Sequence, residues 1–193
     1  MIITLTGFMG CGKSSVGRCL SELLCCPFMD LDAVIEEAQG RSIPEIFTTD
    51  GEAAFRMMEL HALSQIIEAQ QLRNSTVSYP SAAGTANNDK VVVALGGGAV
   101  MTKECAELVR EKTFCIYLRA SVDTLVSHLE NEAAGRPMLQ GASLRTRIEE
   151  LMDLRSSTYE ATAHDIIDTD GKTIEEIAAE INSREYRRVR EDL

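Results

Sequence analysis

The chain has 193 residues, of which 45% are apolar, and its 30 Asp and Glu outweigh 19 Lys and Arg to give a net charge of −11. That length and composition suit one globular domain with its own core and exclude a disordered or fibrous chain. No apolar run approaches the ~18 residues of a membrane span, and the negative balance argues against broad electrostatic binding to nucleic acid, leaving small anions held at a local cluster of positive groups.

Strands and helices alternate along the chain. "IITLT" (2–6) reads as a short buried strand and 13–25 as a helix. "PFMD" (27–30) fits a second strand, and "LDAVIEEAQG" (31–40) a helix that stops at Gly40. "SIPE" (42–45) offers a Ser cap, an early Pro and a Glu three residues after the cap. A long helix is expected from about Gly51 to Gln71, with Leu60, Leu63 and Ile67 at helical spacing. "RNSTVSYPSAAGTANNDK" (73–90) is polar and rich in turn residues, and reads as a mobile surface insertion. "VVVAL" (91–95), "TFCIYL" (113–118) and "HDIID" (164–168) read as strands. Helices are expected over 103–111, 121–130 and 144–159, and "TIEE" (173–176) is a capping box that opens the last one. The tail "REYRRVREDL" (184–193) looks like a solvated helix end. This alternation predicts an α/β fold with a parallel sheet covered by helices on both faces.

Six cysteines form no CxxC pair, and only three histidines are available to complete a zinc site. The opening "MIITLTG" lacks the features of a secretory signal. Reduced thiols in a cytoplasmic protein are therefore expected, most of them buried fillers. No uncommitted apolar stripe is evident, which favours a monomer.

"GFMGCGKSS" (7–15) follows the first strand and opens the first helix. Gly7, Gly12, Lys13 and Ser14 fit G-x-x-x-x-G-K-[ST]. Glycines let backbone N–H groups converge on one anion, and the helix N-terminus points at it. Lys13 reaches the β- and γ-phosphates, and the Ser14 hydroxyl suits Mg²⁺. The expectation is a P-loop that binds a nucleoside triphosphate with Mg²⁺ through Gly10, Cys11, Gly12, Lys13, Ser14 and Ser15. A GTPase is disfavoured: "NNDK" (87–90) is no guanine reader, and "DTDG" (168–171) comes too late for a switch. Cys11 sits near a helix N-terminus and Lys13, both of which lower a thiol pKa. Its alkylation would then block ATP binding; alternatively it is a small residue that points away.

The motifs "GFMGCGKSS", "DLD" (30–32), "GRSIPEIF" (40–47), "DGEAAFRMME" (50–59), "LGGGAV" (95–100), "GRPML" (135–139) and "LRSSTYEATA" (154–163) follow one another in order. Together they resemble the shikimate kinase family over nearly the whole chain. The resemblance implies a three-layer α/β/α P-loop kinase with a five-stranded parallel sheet, an acceptor-binding region at about 31–60 and a short lid at about 131–142. It implies transfer of the ATP γ-phosphoryl group to the 3-hydroxyl of shikimate, in aromatic amino-acid biosynthesis. Arg56 and Arg155 match its two carboxylate-binding arginines; guanidinium groups suit that task because they donate two parallel hydrogen bonds. Surface salt bridges are the alternative use for both. Asp32 matches the residue that holds the ring hydroxyls, either as a base or by orienting the nucleophile. Asp30 matches the position that holds Mg²⁺ through water, and Glu59 a nearby supporting carboxylate. Both aspartates also suit a helix N-terminus. Gly97, within the 96–98 triplet, is the expected backbone contact to substrate. Arg136 matches the lid arginine, and Lys172 lies where the family's adenine loop falls, although a proline often found soon after is missing. Another small-molecule kinase of this architecture, such as a gluconate or nucleoside-monophosphate kinase, is the runner-up. A nucleotide-binding regulator without catalysis is the third reading.

Overall fold

The computed structural model describes residues 1–76, 89–130 and 143–191. In chain order the elements are β1 (Ile2–Thr6), α1 (Lys13–Leu23), β2 (Phe28–Asp30), α2 (Leu31–Gln39), α3 (Ile43–Thr49), α4 (Gly51–Thr76), β3 (Val91–Ala94), a 3₁₀ turn (Ala99–Met101), α5 (Lys103–Lys112), β4 (Phe114–Arg119), α6 (Val122–Leu129), α7 (Leu144–Thr162), β5 (Asp165–Asp168) and α8 (Ile174–Glu191). The strands form one sheet in the order β2-β3-β1-β4-β5. Every pairing is parallel.

β1 and β3 are buried along their whole length, as strands covered on both faces must be. Successive side chains point to opposite faces, so each strand feeds two cores. Ile3, Leu5, Val92, Ile116 and Leu118 join α1, α6 and α8 on one face. Ile2, Val91, Val93, Cys115 and Tyr117 join α2, α4 and α5 on the other. α7 contributes to both, through Ile148 and Leu151 on one side and Tyr159 on the other.

One element boundary differs from the sequence expectation at a point that matters. α4 runs on to Thr76, into the segment expected to be an insertion from residue 73. Its polar end is held by Ser75 Oγ donating to the Gln71 carbonyl at 2.9 Å. α8 continues through the charged tail to Glu191, in keeping with the expected helix end, aided by Arg184 Nη2 to Glu180 at 2.5 Å one turn back. The rest of the expected insertion, 77–88, and the expected lid, 131–142, lie outside the described residues.

Three chain segments leave the sheet at its carboxyl edge, close to one another: Gly7 onward after β1, Asp30 at the end of β2 and Gly96 onward after β3. β1 lies in the middle of the sheet, and the chain leaves it toward β3 and β2 before returning to β4 on its other side. A crevice at this reversal of strand order is where open α/β sheets bind ligands.

Candidate active site

Gly12 caps α1 with φ +92°, a left-handed conformation that a side chain resists, and it supplies no side-chain cap. The first N–H groups of α1 are thus left for an anion. Lys13 Nζ donates to the carbonyls of Gly7 at 3.0 Å and Phe8 at 2.9 Å, which folds its ammonium back across the loop. Ser14 Oγ donates to Asp30 Oδ2 at 2.5 Å. The other oxygen of Asp30 accepts from Asp32 N at 3.1 Å and caps α2. Of the two roles expected for Asp30, the one at the start of the helix is seen directly, on one oxygen, while the other oxygen holds the Ser14 hydroxyl.

A cavity of about 830 Å³ opens over this loop. It is lined by Gly10, Cys11, Gly12, Lys13, Ser14, Ser15, Asp30, Asp32, Gly97 and Lys172 of the expected site residues. His128, Thr169, Thr173 and Glu175 line it as well, and sequence reasoning missed all four. His128 Nδ1 bonds the Gly10 carbonyl at 2.8 Å and so braces the loop from α6. No motif marked it. Lys172 is paired to Glu180 at 2.7 Å.

Cys11 corrects one expectation. Its side chain is buried in the core cluster with Phe8, Leu125 and Leu129, although the residue also lines the cavity. Lys13 Nζ stands 3.9 Å from its sulfur, but burial closes the thiol to reagents. The inward-pointing alternative is the one the structure favours.

Arg56 and Arg155 do not line that cavity. Arg56 lies against the turn made by Gly96, Gly97 and Gly98, and Arg155 is linked to it through Tyr159. Arg56 Nη1 binds Glu59 Oε2 at 2.6 Å and Nη2 binds Glu52 Oε1 at 2.8 Å, from one helical turn on either side. A Cβ on Gly98 would fall 2.3 Å from the Arg56 guanidinium. One on Gly96 would fall 2.3 Å from Glu59 Oε1 and 2.8 Å from Asp32 Oδ1. Gly96 and Gly98 therefore have no room for side chains, because charged groups of α2 and α4 press against them. A Cβ on Gly97, the residue expected to touch substrate with its backbone, would fall 3.2 Å from Met9 N, and Gly97 itself lines the cavity. The Gly97 carbonyl accepts from the Tyr159 hydroxyl. Tyr159 also bonds Arg155, which is nearly buried and lies over the Phe8 ring at 6.0 Å. Tyr159, Glu52 and Glu59 sit at i+4, i−4 and i+3 from their arginines, a spacing that identifies such partners on a helix.

Asp32 lies between the two halves. Burial, and then the Asp30 charge, raise its pKa, while Lys13 on one side and Arg56 on the other oppose the rise. Burial pushes Glu59 up to about 7 against the pull of Arg56. One oxygen of each, Asp32 Oδ1 and Glu59 Oε1, is buried without a hydrogen-bond partner among the described residues.

Among the described residues no three His, Cys, Asp or Glu side chains converge on a metal position. The Ser14–Asp30 oxygen pair suits Mg²⁺, which takes one or two protein oxygens and fills its octahedron with water and phosphate. Arg136 lies outside the described residues.

Comparison with known proteins agrees with this geometry. The family model for shikimate kinase matches residues 9–79 and 82–184. The chain is 42% identical to a shikimate kinase of Zymomonas mobilis over 157 residues, covering 81% of this chain and 78% of that one. It is 38% identical to one of Salinibacter ruber over 189 residues, 94% and 82% of the two chains. Among solved structures, a shikimate kinase from Acinetobacter baumannii in complex with shikimate superposes with a TM-score of 0.82 at 29% identity, over 97% of this chain and 93% of that one.

Proposed function

The chain belongs to the shikimate kinase family, and from that premise we propose that it phosphorylates the 3-hydroxyl of shikimate with ATP, giving shikimate 3-phosphate and ADP. The observation that carries the reading is Asp32, buried within the electrostatic reach of both Lys13 and Arg56. A phosphate cradle lies on one side of it and a guanidinium suited to an organic acid on the other.

The loop from Gly10 to Ser15 holds the triphosphate on backbone N–H groups, with Lys13 turning from its carbonyls to the β- and γ-phosphates. Lys172 flanks the nucleotide end of the cavity. Ser14 and Asp30 would hold Mg²⁺, Asp30 through water; the ion would neutralise charge on the β- and γ-phosphates. Arg56 and Arg155 bind the acceptor carboxylate, and Gly97 contributes backbone beside it. Asp32 orients the attacking hydroxyl and takes its proton late, because a loose phosphoryl-transfer transition state requires little deprotonation early. Burial raises its basicity and so favours that last step. Arg136, by its place in "GRPML", neutralises charge as the phosphoryl group leaves, from a lid at about 131–142 that excludes water.

On this reading the chain is one domain with an acceptor region at about 31–60. It works as a cytoplasmic monomer in the shikimate pathway, without nucleic-acid or membrane partners. All six cysteines are free, which suits a reducing compartment. No helix among the described residues is long and apolar enough to cross a membrane. Exposed large apolar side chains are scattered over α1, α4, α7 and α8.

An acceptor panel tests the reading. With MgATP, phosphate transfer is expected to shikimate and not to gluconate or nucleoside monophosphates. Transfer to one of the latter, or to none, overturns it.

A further inference from the structure

We propose that binding of the acid substrate is coupled to uptake of one proton by Glu59, so that the buried carboxylate of α4 acts as a proton-linked positioning residue for Arg56. The inference rests on the proposed function, which brings an organic carboxylate to Arg56.

Charge around Arg56 makes the argument. In the free protein its guanidinium already serves two carboxylates, Glu59 at 2.6 Å and Glu52 at 2.8 Å. A substrate carboxylate is a third anion at the same cation; Arg155 shares that carboxylate but is not among the charges that face Glu59. Glu52 can leave for water, since half of its side chain is exposed. Glu59 cannot, because it is fully buried. Its neighbours offer no further positive charge: Asp32 faces it from α2, Glu52 and Arg56 from α4, and the Cys105 thiol from α5. Cys105 is itself pushed up to about 12 by burial and by Glu59, so it remains neutral. Beyond Asp32 stand Asp30, Lys13 and Glu36, and only Lys13 is a cation. The compensation open to Glu59 is therefore protonation from solvent.

The structure also holds a place for the proton. Glu59 Oε1 and Asp32 Oδ1 both lack partners, and both press on the same side of Gly96. A proton on Glu59 Oε1 turns an unpaired acceptor into a donor beside an unpaired acceptor. Arg56 is then released from a full countercharge and can serve the incoming acid. Glu59 sits at about 7 in the free protein, and a further nearby anion raises it. Below about pH 6 the site is already protonated and binding needs no proton. Above about pH 7 each binding event draws one in, and affinity falls toward tenfold per pH unit.

Calorimetric titration of shikimate alone, in phosphate and in Tris at pH 7.5, counts the protons from the difference in observed heat. Uptake of roughly half a proton or more per shikimate is expected at pH 7.5, falling toward zero at pH 5.5. The Glu59→Gln protein should lose the uptake, and the Glu52→Gln protein should keep it. Equal heats in the two buffers at pH 7.5, or an undiminished count in Glu59→Gln, overturn the proposal while leaving shikimate binding intact. Absence of any shikimate binding overturns the proposed function and this inference with it. Should Glu59→Gln fail to fold, the contrast between pH 5.5 and 7.5 in the unaltered protein still decides.

Discussion

The guanidinium of Arg56 occupies the space that a side chain on Gly98 would need, 2.3 Å from the Cβ position. The atom in the way is the far end of a flexible side chain and not backbone. Gly98→Ala is therefore expected to fold, with a thermal midpoint near that of the unaltered protein, while displacing Arg56 from its place. Charge-assisted hydrogen bonds contribute about 1.5–3 kcal/mol each. KM for shikimate should rise about tenfold or more, with KM for ATP little changed. Steady-state kinetics on both substrates, beside a melting curve, check this; an unchanged shikimate KM would separate Arg56 from acceptor binding.

Asp32→Asn keeps shape and hydrogen-bonding capacity but removes the acceptor of the hydroxyl proton. A loss of about a hundredfold or more in kcat is expected, while ATP affinity survives because the cradle is built from other residues. Nucleotide titration beside single-turnover phosphate transfer reads the two separately. A variant with normal kcat and weakened ATP binding would reverse the assignment.

Arg155→Ala removes a nearly buried guanidinium that bonds Tyr159. Loss of uniform binding raises KM and spares kcat. An increase of about ten- to a hundredfold in shikimate KM is expected, with Arg155→Lys intermediate because it keeps charge but loses the planar fork. A fall in kcat at constant KM would place Arg155 in the transition state instead.

Part of this site is legible in sequence and part is not. The cradle is contiguous, so nine residues between a strand and a helix suffice to find it. The acceptor half is assembled from α2, α4, the Gly96–Gly98 turn and α7, which meet only when the sheet forms. Arg56 and Arg155 could be picked out by resemblance, but the reason for Gly96 and Gly98 could not: the carboxylates and guanidinium that press on them are 37 to 64 positions away in the numbering of Asp32, Glu59 and Arg56 against the turn. His128 is invisible for the same reason, since its bond to Gly10 spans α6 and the loop. Where α4 overran its expected end, the helix ran on through polar residues of weak propensity, with Ser75 turning its hydroxyl back to the Gln71 carbonyl.

Stability should depend on pH through Glu59. Its pKa rises from 4.5 to about 7 on folding, first because of burial. The folded state therefore binds more protons than the unfolded state between those values, and the stability this confers is fully present below pH 4.5 and lost as pH rises through about 7. Relative to the unaltered protein, Glu59→Gln should gain on the order of a few kcal/mol between pH 4.5 and pH 8. Urea unfolding of both proteins at the two pH values measures the difference; a constant gap would show that Glu59 titrates normally.

Thiol labelling should begin at Cys25, which is exposed, and not at Cys11, whose sulfur is in the core. Peptide mapping after brief alkylation is expected to find Cys11 unmodified with or without MgATP. Rapid Cys11 modification that MgATP suppresses would restore the view of it as a reactive cradle thiol.

The amine of Lys13, resting on the carbonyls of Gly7 and Phe8, works as a peg that keeps the loop at the width of an anion when none is bound. Arranging that mould belongs to folding and not to encounter. An arriving triphosphate then swaps one set of contacts on a single side chain for another, with no stretch of backbone left to organise around it.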